Sequence, residues 1–263
     1  MNAAGPDPVE RQSASQSGSH GASEIETRWL ADSVRLAVRE ARSFAAAVAA
    51  VTFRPARFAS GWVTGERPAM NPLGYFATSV AIVAVCQKLA FAVVGAGEGA
   101  GLLVEAANAI GPYLYYVALG MLCHAMLRAR GSRRTARGSL AMALYAGGGP
   151  FALATIANLV AFTIAHLRFG KGEFSGAEML TPQVLALGVV AFGSRLAALV
   201  IFARVLSGFH ERPARWTWLA LLLALGVTAL TFGLLDPPGN YGGHFIIGQE
   251  RGGERVWWPS YGF

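Results

Sequence analysis

The chain has 263 residues, of which 54% are hydrophobic and only 14% charged, with a formal net charge of +7. A soluble domain carries about 25% charged residues, so this composition excludes an ordinary soluble domain. The basic excess lies beside long apolar runs, where it sets orientation in a bilayer rather than binding nucleic acid.

In chain order, residues 1–22 are small and polar, with few core-forming side chains, and read as a disordered arm on the cytoplasmic side. They lack the apolar core of a cleavable signal peptide, so the first crossing is expected to act as the targeting signal. Residues 23–72 follow as an interfacial segment. Ser23 and Glu26 make a capping-box pattern. Leu30, Val34, Ala37, Val38, Ala41, Ala45 and Val48 then recur at helical spacing, with Arg28, Arg35, Arg39 and Arg42 mostly elsewhere on the wheel. The pattern predicts an amphipathic helix over 23–50, which either lies in the membrane interface or packs on the cytoplasmic helix ends. Pro55 and Pro72 bracket a short stretch leading into the membrane. Its Arg54 and Arg57 suit headgroups, and its Phe53, Phe58 and Trp62 suit the interface.

Five apolar stretches come next, over 73–94, 108–127, 140–167, 183–206 and 216–235. Each reaches the roughly 20 residues that one helical crossing of a 30 Å hydrocarbon core needs. The fold class predicted is therefore an all-α integral membrane protein, with a five-helix domain over 73–236 and an extracytoplasmic tail over 237–263. Arg54, Arg57, Arg67, Arg128, Arg130, Arg133, Arg134, Arg137, Arg212 and Arg215 flank one set of helix ends, and Arg168 and Lys171 alone flank the other. The positive-inside rule places the amino terminus in the cytoplasm and the carboxyl terminus outside. Arg130, Arg133, Arg134 and Arg137 are the main topology determinants. Trp216, Trp218, Tyr113, Tyr115 and Tyr116 stand near span ends as interfacial aromatics do.

The third stretch is too long for one straight crossing, and Gly147, Gly148, Gly149 and Pro150 interrupt it. Proline removes a backbone donor and clashes with the preceding turn, so a kink or break is expected there. Such a break serves helix packing or, in a transporter, exposes backbone to a substrate. No Gly-Lys-Ser/Thr follows, so the run is not a phosphate loop. Cys86 and Cys123 lie at depths roughly 13 Å apart on this topology, beyond the reach of a disulfide.

Chemistry-bearing groups are sparse. There is no H-E-x-x-H, C-x-x-C or G-x-S-x-G pattern, and no span interior holds Asp or Glu. His124 and His166 fall on opposite membrane faces and cannot share a metal. No catalytic residue, metal site or cofactor is predicted. The candidate anion or lipid ligands are Arg195, Lys88 and Arg204. Lys88 and Arg204 lie near span ends and can snorkel, whereas Arg195 is near mid-bilayer. A charge there costs several kcal/mol unless it is paired or hydrated. Its partners are carbonyls, amides, water or an external anion, so it is either a structural anchor or an anion site.

The run Phe53-Arg54-Pro55-Ala56-Arg57-Phe58, then Gly65-Glu66-Arg67, then Asn71-Pro72-Leu73-Gly74-Tyr75-Phe76 resembles the lead-in of the bacterial Yip-type (Ypt-interacting protein) membrane domain. It also resembles a related multi-pass family of unassigned function. The motif residues are Arg54, Pro55, Arg57, Asn71 and Pro72. The resemblance implies a bacterial inner-membrane protein that organises membrane, or binds lipid or protein partners, without catalysis. Expected partners are the bilayer, anionic lipids, and other membrane proteins or a second copy of the chain. A small permease for an anionic solute, using the broken third span and Arg195, is the alternative.

Overall fold

The computed structural model describes residues 8–66, 68, 70–94, 102–170, 181–235, 249–251 and 254–256. The tail segment His244–Ile247, the pair Trp257-Trp258, and the loop residues Arg67, Glu98, Lys171, Glu173 and Glu178 lie outside them. The helices are α1 (Pro8–Phe53), α2 (Pro55–Val63), α3 (Pro72–Val94), α4 (Leu102–Ala129), α5 (Ala136–Gly147), α6 (Gly149–Phe169), α7 (Pro182–His210) and α8 (Ala214–Leu235). Two strands of three residues, β1 (Gln249–Arg251) and β2 (Glu254–Val256), pair antiparallel.

A helix thus occupies each of the five apolar stretches. Among the described residues, three helical segments are long and apolar enough to cross a membrane: Pro72–Val94, Ala136–Phe169 and Pro182–His210. Ala214–Val227 is a shorter apolar helix.

Residues Met1–Ala45 form one compact unit and Ala46–Phe263 a second. In the first unit α1 begins at Pro8, not at Ser23, so residues 8–22 are helical where the sequence predicts an irregular arm. Extending a helix by one residue costs far less than nucleating one, which lets a Ser- and Gly-rich run continue a helix that starts elsewhere. Leu30, Val34 and Val38 share a face of α1 and are exposed, as are Trp29 and Leu36.

The second unit is the bundle, and local chemistry sets its helix ends. Pro55 stops α1 at Phe53 and occupies the first turn of α2, where its missing N–H is no loss. Asn71 caps α3: its Oδ1 accepts from the Gly74 N–H at 2.7 Å, with Pro72 in the first turn. Thr135 caps α5 through the Gly138 N–H at 3.2 Å. Gly170, at φ +69°, closes α6 with its N–H on the His166 carbonyl.

In lipid, apolar faces gain little by leaving the solvent, so packing and hydrogen bonds must hold the helices together. Close approach at small residues supplies the packing. A Cβ on Gly208 of α7 would lie 2.9 Å from the Ala56 carbonyl of α2 and 3.2 Å from the Ala59 Cβ. A Cβ on Gly120 of α4 would lie 2.6 Å from the Ala143 Cβ of α5. Around these contacts Tyr75, Leu119, Leu127, Met142, Tyr145, Phe202, Leu206 and Leu221 form the core.

Candidate functional site

The helix ends that carry the arginines converge at one end of the bundle, and a cluster around Tyr145 of α5 begins the convergence. Its ring meets Phe58 and Trp62 of α2 and Tyr75 of α3, at centroid distances of 5.0, 5.8 and 5.1 Å. Its hydroxyl donates to the Met70 carbonyl. The lead-in between Pro55 and Pro72 therefore packs on the bundle. Arg54, Arg57 and Phe53 are exposed, Phe58 and Trp62 face Tyr145, and Pro55 and Ala59 are buried.

Beside that cluster runs a buried polar chain across three helices. Ser132 Oγ, in the α4–α5 turn, lies 2.7 Å from His210 Nδ1 at the end of α7. His210 Nε2 lies 3.3 Å from Ser139 Oγ of α5, which in turn is 2.7 Å from His124 Nδ1 of α4. The two imidazole centroids are 5.4 Å apart. Two opposite proton arrangements satisfy every link, and in the first of them the donors run inward from Arg134. The Arg134 N–H donates to Ser132 Oγ at 3.4 Å, and Ser132 donates to His210 Nδ1. His210 then donates through Nε2 to Ser139, and Ser139 donates to His124 Nδ1. In that arrangement both histidines are neutral and protonated on Nε2, and in the reverse one both carry the proton on Nδ1. Ser139 is fully buried, with its hydrogen and a lone pair both engaged by imidazoles, which suits a tie between helices better than a nucleophile. Residues far apart in sequence make this chain, and sequence reasoning missed it. The available signal was that the predicted topology puts His124 and His210 at the same membrane face.

The arginine-rich turn closes over this chain. Arg134 pairs with Glu211. The Arg130 guanidinium lies 4.7 Å from the Trp216 ring centroid, and that of Arg215 lies 5.9 Å from the same ring. Gly131, at φ +87°, brings the turn so close that a Cβ there would sit 3.0 Å from Arg212 Nη2. Arg133 and Arg137 are exposed.

The expected break is present. Helix α5 ends at Gly147 and α6 begins at Gly149, with Gly148 at φ −85° and ψ −97° between them. Gly147, Gly148, Gly149 and Pro150 are all buried. Tyr75 fills the notch: a Cβ on Gly149 would overlap its hydroxyl and lie 2.9 Å from its Cζ. On the other side Tyr116 stacks on Phe151 with centroids 3.5 Å apart.

Arg195 of α7 is half-buried, and Lys88 and Arg204 are exposed. The neighbouring Ser194 Oγ, whose shorter bond of 2.9 Å goes to the Ala191 carbonyl of its own helix, lies 3.3 Å from the Ala154 carbonyl of α6, which sets Arg195 roughly one and a half to two turns beyond the break. Arg195 and Arg204 stand nine residues apart on α7, about 13.5 Å along the helix axis. Cys86 and Cys123 are free thiols. Among the described residues, no three His, Cys, Asp or Glu side chains are grouped to hold a metal ion.

No family model matches the chain, and no curated protein or solved structure does either. The resemblance at 53–76 thus rests on those residues alone.

Proposed function

We propose that this chain is a bacterial inner-membrane protein with five crossings, its amino terminus in the cytoplasm and its carboxyl terminus outside. On this reading it organises membrane by binding lipid or protein partners and catalyses no reaction. The Yip-type resemblance belongs to the same reading. One observation carries it: the ends of α4 and α7, the starts of α5 and α8, and the lead-in to α3 meet in one packed, arginine-rich end. Arg130 lies on Trp216, Arg134 pairs with Glu211, and Tyr145 reaches Met70. Antiparallel crossings with most of their flanking bases on one side produce that arrangement. The exposed Val85, Leu89 and Val93 of α3, and Leu185, Val189 and Leu196 of α7, suit acyl chains.

Binding is favoured over transport because Tyr75 and Tyr116 cover the backbone at the break. It is favoured over catalysis because the two serines set against histidines, Ser132 and Ser139, are both buried, and Ser139 has its hydrogen and a lone pair engaged by imidazoles. The test has two arms. In intact cells, a cysteine replacing Arg133 should resist a membrane-impermeant thiol reagent, and a tag after Phe263 should be reached from outside. The reverse pattern would overturn the topology. In proteoliposomes the purified chain should carry no anion flux. Flux that is lost in Arg195→Gln would establish the permease in its place.

A further inference from the structure

Arg130 and Arg215 bring two guanidinium groups within 6 Å of one indole, that of Trp216. Both arginines are exposed, and neither makes an ion pair among the described residues. The nearby turn adds Arg212, close against Gly131. The acid of this turn, Glu211, is already held by Arg134. Like charges near one ring repel, and an anion placed among them relieves the repulsion. A planar guanidinium offers two parallel N–H donors that match two phosphate oxygens.

What lies below the arginines decides the kind of anion. Residues 215, 219, 222 and 226 fall on one face of α8 by helical spacing. Leu219 and Leu222 are exposed on that face, with Leu223 beside them. Gly226 is exposed, and a Cβ there would meet nothing within 4 Å. A cationic head, an aromatic ring and an open apolar track follow one another down the helix. Inorganic phosphate needs only the first of these, whereas a phospholipid matches the full sequence of headgroup, interface and acyl chain.

We propose that Arg130, Arg215 and Trp216 form a binding site for the phosphate of an anionic phospholipid, whose acyl chain lies along Leu219, Leu222 and Gly226. This rests on the proposed membrane topology and names a ligand for it.

The full chain is purified in mild detergent, offered phosphatidylglycerol or phosphatidylcholine, and read by native mass spectrometry. Wild type should retain phosphatidylglycerol in preference to phosphatidylcholine. Arg130→Gln/Arg215→Gln should bind phosphatidylglycerol about tenfold more weakly, the scale expected for losing charge-assisted bonds. Arg133→Gln/Arg137→Gln removes the same charge from exposed positions away from Trp216 and should bind as wild type does. Arg130→Lys/Arg215→Lys keeps the charge and guards against misfolding as the explanation. It should bind more weakly than wild type, because lysine lacks the planar fork. Equal binding by the lysine pair, or equal loss in the two glutamine pairs, would overturn the site in favour of diffuse charge. Absence of any lipid preference in wild type would also overturn it. Displacement of phosphatidylglycerol by excess inorganic phosphate would overturn the lipid assignment and leave a phosphate site. Thiol accessibility at position 133, measured in a separate Arg133→Cys chain, distinguishes failure of the topology from failure of the site.

Discussion

Between Pro182 and Leu196, α7 turns Leu185, Val189, Val190 and Leu196 outward. From Ala198 to His210 it buries Ala198, Phe202, Ala203, Val205, Leu206, Phe209 and His210. The two halves are similarly apolar in sequence, so hydropathy alone does not separate them. Their neighbours do. Helix α2 packs on the second half through Gly208, and Phe209 meets Gly138 of α5. Phe202 meets Phe151 of α6 edge-on at 6.1 Å. Hydropathy identifies a crossing, whereas small residues and shape decide which side of it faces protein.

That contrast breaks most easily by truncation. Phe202→Ala leaves a hole in a close-packed region and should cost about 3–5 kcal/mol. Leu196→Ala, on the outward half, should change stability by less than about 0.5 kcal/mol. Unfolding in mild detergent, followed by helical circular dichroism, gives both numbers. Comparable losses would show that the first half is also covered, for example by a second copy of the chain.

Packing at the helix break sharpens the same point. A methyl on Gly149 overlaps the Tyr75 hydroxyl, and overpacking of this kind costs about 1–3 kcal/mol. Gly149→Ala should reach the upper part of that range. Adding Tyr75→Phe removes the overlapping oxygen and should restore part of the loss. If the double variant melts no higher than Gly149→Ala alone, Tyr75 is not what fills the notch.

The readable parts of this fold were those written in local sequence. Gly147 to Pro150 predicts a break, and the chain breaks at Gly148. Asn71-Pro72 predicts a helix start, and Asn71 caps α3 there. What the sequence hid depends on which helices are neighbours. Phe58 and Trp62 have the composition of interfacial aromatics, and nothing nearby in sequence reveals that Tyr145 receives them. The meeting of His124 and His210 requires the end of α4, the start of α5 and the end of α7 to lie at the same level. Arg195 stood out as a charge in an apolar run. Its level beside α6 follows from the Ser194 contact with Ala154, which spacing along α7 does not show.

The hydrogen-bonded chain gives the next prediction. Ser139→Ala takes a partner from both His124 Nδ1 and His210 Nε2 in a buried setting. Leaving buried polar atoms unpaired costs about 1–3 kcal/mol, so a loss near 2 kcal/mol is expected. Ser132→Ala removes the outer link to His210 Nδ1 and the long 3.4 Å contact with the half-buried Arg134 N–H, and should cost less. If Ser132→Ala costs as much as Ser139→Ala, the chain is not centred on Ser139.

The smallest effect is the most discriminating, because two terms oppose each other at Glu211. This residue ends α7 in the left-handed region, at φ 51°, where an L side chain costs roughly 1–2 kcal/mol relative to the right-handed form. Glycine has no such penalty, though it loses more entropy on folding. The Glu211 carboxylate also pairs with Arg134, and its side chain is 64% exposed. A pair that exposed contributes about 0–1 kcal/mol. Glu211→Gln removes the pair and keeps the backbone penalty, so it should destabilise slightly. Glu211→Gly removes both, so it should be neutral or slightly stabilising. The two variants should therefore differ in sign or nearly so. If Glu211→Gly instead destabilises by more than about 1 kcal/mol, the ion pair over the turn is worth more than its exposure allows. The packed end of α7 would then be held by charge as well as by shape.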